Sequence, residues 1–429
     1  MNTTIIILGF IGIVIAVVWG TKFKTNAGII AILFAFALGI FGLGMKPADV
    51  YAFFPARTTV QLIIVTVFFG FAVANGTINY IGKILIYWVR KIPWALPIVY
   101  FILNYGFAAI GVSPPAINMF LIPIFISLCY ATNTSELYLD VFANSAGMSG
   151  TLSPLGMVGI MLVGMLGSAD QGIDVNGVVV SVFGIVTLVF VVISVFWYIV
   201  LRMWKIKIPE DMFTKPESPT RQQKINLIII LICIVLMVIP SIIQTFLPNV
   251  VTKYLSMLDI SLVYALGIAL CAVFKLGNEK EVLKTSIPWG VIILLGGMTC
   301  LMGVMRTAGL AELISGFVSG NISPAIIPLL LVLLSGILSL FSDGTSVVMP
   351  LMIPIAVTIA QATGLSVARL VACVCMAGIG MGMSPFSTGG GVFMSFVKED
   401  RFQKMMFQSL AAVLVNLVIM CALSFIKFV

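Results

Sequence analysis

The stretch SDGTSVVMPLMIPI, residues 342–355, interrupts an apolar run that extends over 322–361. A membrane span needs about 20 residues, so that run is too long for one, and Ser, Asp, Gly and Pro break its middle. A second stretch of the same kind, GVSPPAINMFLIPI at 111–124, lies inside the run 94–131. Two arrangements satisfy the pattern: a pair of spans joined by a tight turn in solvent, or a helical hairpin that enters and leaves on one side.

The surrounding chain is oil-soluble. Of its 429 residues, 61% are hydrophobic and 9% charged, with a mean hydropathy of +1.20. Lipid is the solvent such a composition requires. Further apolar runs near 4–19, 26–44, 58–75, 137–165, 175–201, 225–247, 255–274, 286–305, 366–396 and 405–427 supply the spans. The opening segment MNTTIIILGFIGIVIAVVWGT has neither a basic leader nor a small-residue cleavage site and reads as a retained first span. The segment 76–92, amphipathic and basic, reads as an interfacial helix.

The net charge of +8 points to cytoplasmic loops rather than to nucleic acid, for which no motif is present. If the two hairpins do not cross, 17 of the 23 Lys and Arg fall on the cytoplasmic side and both chain ends lie outside. Lys46, Arg57, Lys253, Arg306, Arg369 and Lys427 are then external. Charge alone does not decide between hairpins and crossing pairs, because two crossings return the chain to the same side. The seven cysteines lie in or beside apolar runs and read as packing residues. With no histidine in the chain, a histidine triad, proton relay or metal site is excluded.

Sliding the chain on itself yields a repeat at 231 residues. Pro93, Pro97, Pro123 and Pro154 meet Pro324, Pro328, Pro354 and Pro385, and Gly147 and Ser153 meet Gly378 and Ser384. With 19 prolines in 429 residues, chance gives about 0.3 matches for the six prolines of 93–154, against the four found. Five crossings per copy is odd, so the second copy is expected upside down relative to the first, as in secondary transporters. A duplicated bundle with no transport role is the bland alternative. The expected fold is an all-α polytopic membrane protein: an inverted repeat of five spans plus one re-entrant hairpin each, about ten spans in all. The first repeat covers 1–202, a cytoplasmic linker 203–224, and the second repeat 225–429.

Each copy has a second break, SGTLSPLGM at 149–157 and GMSPFSTGGG at 382–391. Non-helical backbone at membrane depth is tolerated where it lines a protein-walled cavity. Half-helix N-termini favour anions, and half-helix carbonyls with Ser and Thr oxygens favour a hard cation. One Ser-Pro alone favours an ordinary kink; four breaks in two-fold arrangement favour a site. Asn118 either reaches that pocket or bonds between helices. Asp343 is the only deep acid the sequence reading places, and its repeat-mate is Val112. A carboxylate at that depth costs at least about 2.5–3.5 kcal/mol unless paired or wet. The alternative is that Asp343 caps the helix that follows it.

These motifs resemble the ion transporter superfamily, nearest to its divalent anion/sodium symporter branch and the malonate and dicarboxylate carriers. IPWGVIILLGGM (287–298), SDGTSVVMPLMIPIA and SPFSTGG carry the resemblance. It implies a dimerising scaffold (1–75 and 225–305), a transport unit (93–165 and 322–396) that moves as an elevator, and sodium beside each hairpin tip. In that branch each tip reads Ser-Asn-Thr. Here Ser113-Pro114-Pro115 and Ser342-Asp343-Gly344 replace it, so Asp343 stands where the second asparagine would be.

The expected activity is secondary transport of small organic anions, C3–C4 dicarboxylates first, coupled to Na⁺ or H⁺. Ser113, Pro114, Asn118, Ser342, Gly344 and Thr345 are expected to hold substrate, and Asp343, Ser153, Ser384, Ser387 and Thr388 the cation. No lysine or arginine is expected in that pocket. No cofactor beyond sodium ions is expected, and a homodimer in a bacterial inner membrane is implied by the resemblance. The competing readings are movement of an arsenite-type solute by the same fold, a channel, and an intramembrane enzyme, the last weak without histidine.

Overall fold

A computed structural model describes residues 2–23, 25–88, 92–114, 117–118, 121–122, 125–126, 129–130, 134–169, 172–206, 216–246, 259–310, 312–313, 323–340, 344–385 and 387–426. Among these residues there is no strand. The first half contains α1 (Thr3–Phe23), α2 (Ala27–Phe36, continued by a π turn Ala37–Gly42), α3 (Pro47–Tyr51), α4 (Ala56–Ala74) and α5 (Thr77–Trp88). It continues with α6 (Leu96–Ala109), α7 (Leu137–Thr151), α8 (Met157–Ala169) and α9 (Val175–Val200). The second half contains α10 (Arg221–Phe246), α11 (Ile260–Val273), α12 (Glu279–Ser286), α13 (Trp289–Thr307) and α14 (Ile327–Leu340). A π turn, Gly344–Val348, then leads into α15 (Met349–Thr363), followed by α16 (Val367–Gly380), α17 (Thr388–Met394) and α18 (Glu399–Leu423).

Among the described residues, five helices are long and apolar enough to cross a membrane: α1, α4, α9, α13 and α18. α10 is also long, at 26 residues; most of the other helices are shorter, because the chain is broken where Gly, Ser and Pro cluster. Large apolar side chains face outward on α1, α9, α10 and α18, among them Val14, Val195, Leu231 and Val418. In water such faces would aggregate; in lipid they are solvated.

The 231-residue offset reappears in helix bounds. α6 and α14 are both 14 residues long and start 231 apart, at Leu96 and Ile327. In the front part of each half the offset is 233. Pro55 and Pro288 cap α4 and α13 with φ/ψ of −80/66° and −82/65°. Thr66 and Thr299 donate to the Leu62 and Leu295 carbonyls, each at 2.8 Å. Asn26 and Asp259 cap α2 and α11 by accepting from Gly28 N–H and Ser261 N–H, each at 2.8 Å. The two halves therefore differ by two residues between Thr66 and Pro93, against Thr299 and Pro324.

The halves also exchange partners. α4 packs on α11, and α13 packs on α2. The α1–α2–α13 cluster forms its own core around Met298, Leu301 and Met305. The larger core gathers α4, α6–α9 and α14–α18.

Candidate functional site

The two breaks share one construction. In the first, Leu152–Gly156, Ser153 N–H donates to the Gly150 carbonyl at 3.0 Å and Gly156 N–H to the Ser153 carbonyl at 2.8 Å. In the second, Met381–Ser387, Ser384 N–H donates to Met381 and Ser387 N–H to Ser384, both at 2.8 Å. Ser153 donates its hydroxyl to the carbonyl of Ala109, the last residue of α6. Ser384 donates its hydroxyl at 3.2 Å to the carbonyl of Leu340, the last residue of α14. Each serine thus satisfies a helix-end carbonyl that would otherwise be orphaned. Behind them Gly159 and Gly390 press on the Ser153 and Ser384 carbonyls, where a Cβ has no room.

Where the sequence places the first hairpin tip, the chain makes a left-handed turn at Gly111, with φ +108°. A side chain there would strike Val65 and Phe69 of α4 and crowd the Leu155 carbonyl of the first break. Tip, break and α4 therefore meet at one place.

The sequence-derived residues fall as follows. Ser113 is half-buried and lines a cavity of about 320 Å³ with Thr66 and Gly70 of α4 and Glu281 and Ser286 of α12. Pro114 is buried against Gly147 of α7. Asn118 is half-buried, and its Oδ1 is a buried acceptor with no hydrogen-bond partner. Gly344 lies against the Gly378 carbonyl, which also accepts from the Ser339 hydroxyl. Thr345 is buried. Ser387 caps α17: its hydroxyl donates to the Gly382 carbonyl at 2.6 Å and accepts from Gly390 N–H at 3.2 Å. Thr388 opens α17. Ser342 and Asp343 lie outside the described residues.

A second cavity, of about 990 Å³, opens at the other end of α4. It is bounded by Arg57 and Thr58 of α4, Gly164 of α8, Asn176 of α9, and Arg306 and Thr307 of α13. Arg57 makes an exposed ion pair with Asp259 at 3.7 Å, of the kind that holds little free energy. Among the described residues, the charged side chain on the wall of the narrower cavity is Glu281.

One expectation is corrected. Asp343 is not the only deep acid: Asp140 in α7 is 3% exposed and accepts a hydrogen bond from the Ser409 hydroxyl at 2.6 Å. Asn144, one turn on, donates to the Gly380 carbonyl at 3.0 Å, beside the second break. The signal was present as Glu136, Asp140 and Asn144 at four-residue spacing. No repeat-mate or Gly-Pro break marks it in the sequence.

The first 151 residues match the family described as the dicarboxylate carrier protein MatC N-terminus. Among solved structures the chain is similar to MtrF of Neisseria gonorrhoeae, from a class of antimetabolite efflux pumps, at 14% identity and TM-score 0.60. That match covers 89% of this chain and 82% of MtrF. It is also similar to the YdaH transporter of Alcanivorax borkumensis, at 13% identity and TM-score 0.58, over 93% of this chain and 96% of that one. No curated protein sequence matches. The fold is that of membrane transporters, and the chain is an integral membrane protein.

Proposed function

We propose that the protein is a secondary active transporter of small organic anions, C3–C4 dicarboxylates first, driven by Na⁺ or H⁺. One observation carries the reading. Two cavities approach α4 from its opposite ends, and the narrower one reaches the first hairpin tip at Ser113. α4 has 19 residues, about 28 Å of helix. Buried Leu62 and Val65 lie between the cavities, and Thr58 packs closely on Gly164 at the wall of the wider one. Two cavities kept apart by buried side chains suit alternating access. The match of the first 151 residues to a dicarboxylate carrier family supports the substrate class.

In this reading the halves are inverted repeats, 1–75 and 225–305 are the scaffold, and 93–165 and 322–396 move as an elevator. Ser113, Pro114 and Asn118 hold one carboxylate, and Ser342, Gly344 and Thr345 the other. Hydroxyls at Ser153, Ser384 and Ser387 already donate to carbonyls. Their remaining lone pairs, with Thr388, Asp343 and the break carbonyls, are what a cation would find. At the wider cavity Arg57 and Arg306 outnumber Glu312, whereas Glu281 is the charged residue at the narrower, a balance that favours anion uptake from the wider side. That side is external in the charge-derived topology, in a bacterial inner membrane with both termini outside. A homodimer is part of the proposal, and no catalytic step is.

The test is uptake of labelled malonate and succinate into proteoliposomes under imposed Na⁺ or pH gradients. Saturable, gradient-driven accumulation is expected. If neither gradient drives either acid, the substrate assignment fails.

A further inference from the structure

Glu136, Asp140 and Asn144 stand four residues apart, so they share one face at the start of α7 over about 12 Å. All three bond to the second half of the chain. Arg401 Nη1 donates to Glu136 Oε1 at 2.7 Å, Ser409 Oγ to Asp140 Oδ2 at 2.6 Å, and Asn144 Nδ2 to the Gly380 carbonyl at 3.0 Å. The line runs from an ion pair in which Arg401 stays 34% exposed to the edge of the second break. Substrate binding as proposed above uses none of the three.

Among the described residues, the Ser409 hydroxyl is the hydrogen-bond donor to Asp140, and no Lys or Arg is within ion-pair distance of it. The titratable groups around it are few. Tyr100 of α6 lies within electrostatic reach and is fully buried beside Asn104. Cys129 and Tyr138 bond to each other at 3.6 Å near the foot of α7. The Glu136–Arg401 pair is one turn away. α8, α9 and α17 bring no charged residue against α7, and Arg369 of α16 is turned to the Ser424 carbonyl at 2.9 Å. An ionised carboxyl with one hydroxyl donor and no counter-charge among the described residues is costly in such packing.

We propose that Asp140 carries a coupling proton, loaded through Glu136 and linked through Asn144 to the second break. This rests on the transporter reading and makes H⁺ the driving ion. The proton passes from water to the Glu136 carboxylate and then to the Asp140 carboxylate; Arg401 stays protonated and no other bond changes. Release leaves a charge on α7 that Ser409 alone does not neutralise. Proton occupancy is therefore tied to how α7 packs on α16 and α18. A merely structural polar seam would need the hydrogen bonds but not the proton.

Asp140→Asn separates the two, because an amide still accepts from Ser409 and does not titrate. In purified protein, infrared difference spectra against pH should show the carbonyl stretch of a protonated carboxylic acid. The band should persist in E136Q, shift in S409A and vanish in D140N. In proteoliposomes, D140N should lose the response of uptake to a pH gradient while its thermal unfolding stays near that of the parent. The proposal is overturned if the band survives D140N, if D140N responds to the gradient as the parent does, or if Na⁺ alone drives the parent. Should D140N fail to fold, an unshifted band in S409A is the contrary result. If the parent moves no dicarboxylate, the transport reading falls, and the infrared arm still decides the proton site.

Discussion

Ser153 and Ser384 stand 231 residues apart, and each gives its hydroxyl to the last carbonyl of a 14-residue helix, Ala109 or Leu340. In both cases the bond joins the end of that helix to a break 44 residues further along the chain. Replacing either serine by alanine leaves a buried carbonyl short of a donor, a loss of about 1–3 kcal/mol. S153A and S384A should lower thermal stability by similar amounts, as unfolding in detergent would measure. A large effect in one and none in the other would break the equivalence.

Gly111 turns the first hairpin at φ +108° against Val65 and Phe69. Alanine there meets both a disfavoured backbone region, about 1–3 kcal/mol, and a steric clash. G111A should reduce uptake by an order of magnitude or more, because the tip no longer seats on α4. Wild-type uptake in G111A would show that this contact does not matter.

Asn118 Oδ1 is buried without a partner. Such an acceptor costs about 1–3 kcal/mol in an empty site and is relieved by an apolar residue of similar size. Asn118→Leu should raise the melting temperature of the ligand-free protein and weaken substrate binding at least tenfold. If calorimetry shows binding unchanged, Asn118 is a packing residue.

Arg57 and Arg306 border the wider cavity. R57Q and R306Q should raise KM for uptake from that side several-fold, leave the maximal rate near the parent's, and flatten its dependence on salt. An unchanged KM at low ionic strength would remove the arginines from anion recruitment.

Much of this was legible in the sequence. Proline and glycine act through the backbone, so Pro93, Pro97, Pro123 and Pro154 announce the breaks and their 231-residue spacing. The 233-residue register of the front halves was not legible. It rests on Pro55 and Pro288, Thr66 and Thr299, and two caps of different identity, Asn26 and Asp259. The exchange of α4 and α13 between halves is invisible to any local pattern, since it pairs segments roughly 200 to 270 residues apart. Asp140 was hidden differently. One acid in an apolar run shows its chemistry only when Ser409, from the far end of the chain, is placed against it.

The central claim is that substrate crosses by alternating exposure of one site. Its most direct test is exchange of labelled succinate into proteoliposomes preloaded with unlabelled succinate, with no ion gradient imposed. The account predicts saturable exchange that accelerates with internal succinate and carries no steady current beyond the coupled ion. Flux that rises without saturation, or single-channel conductance, would contradict it.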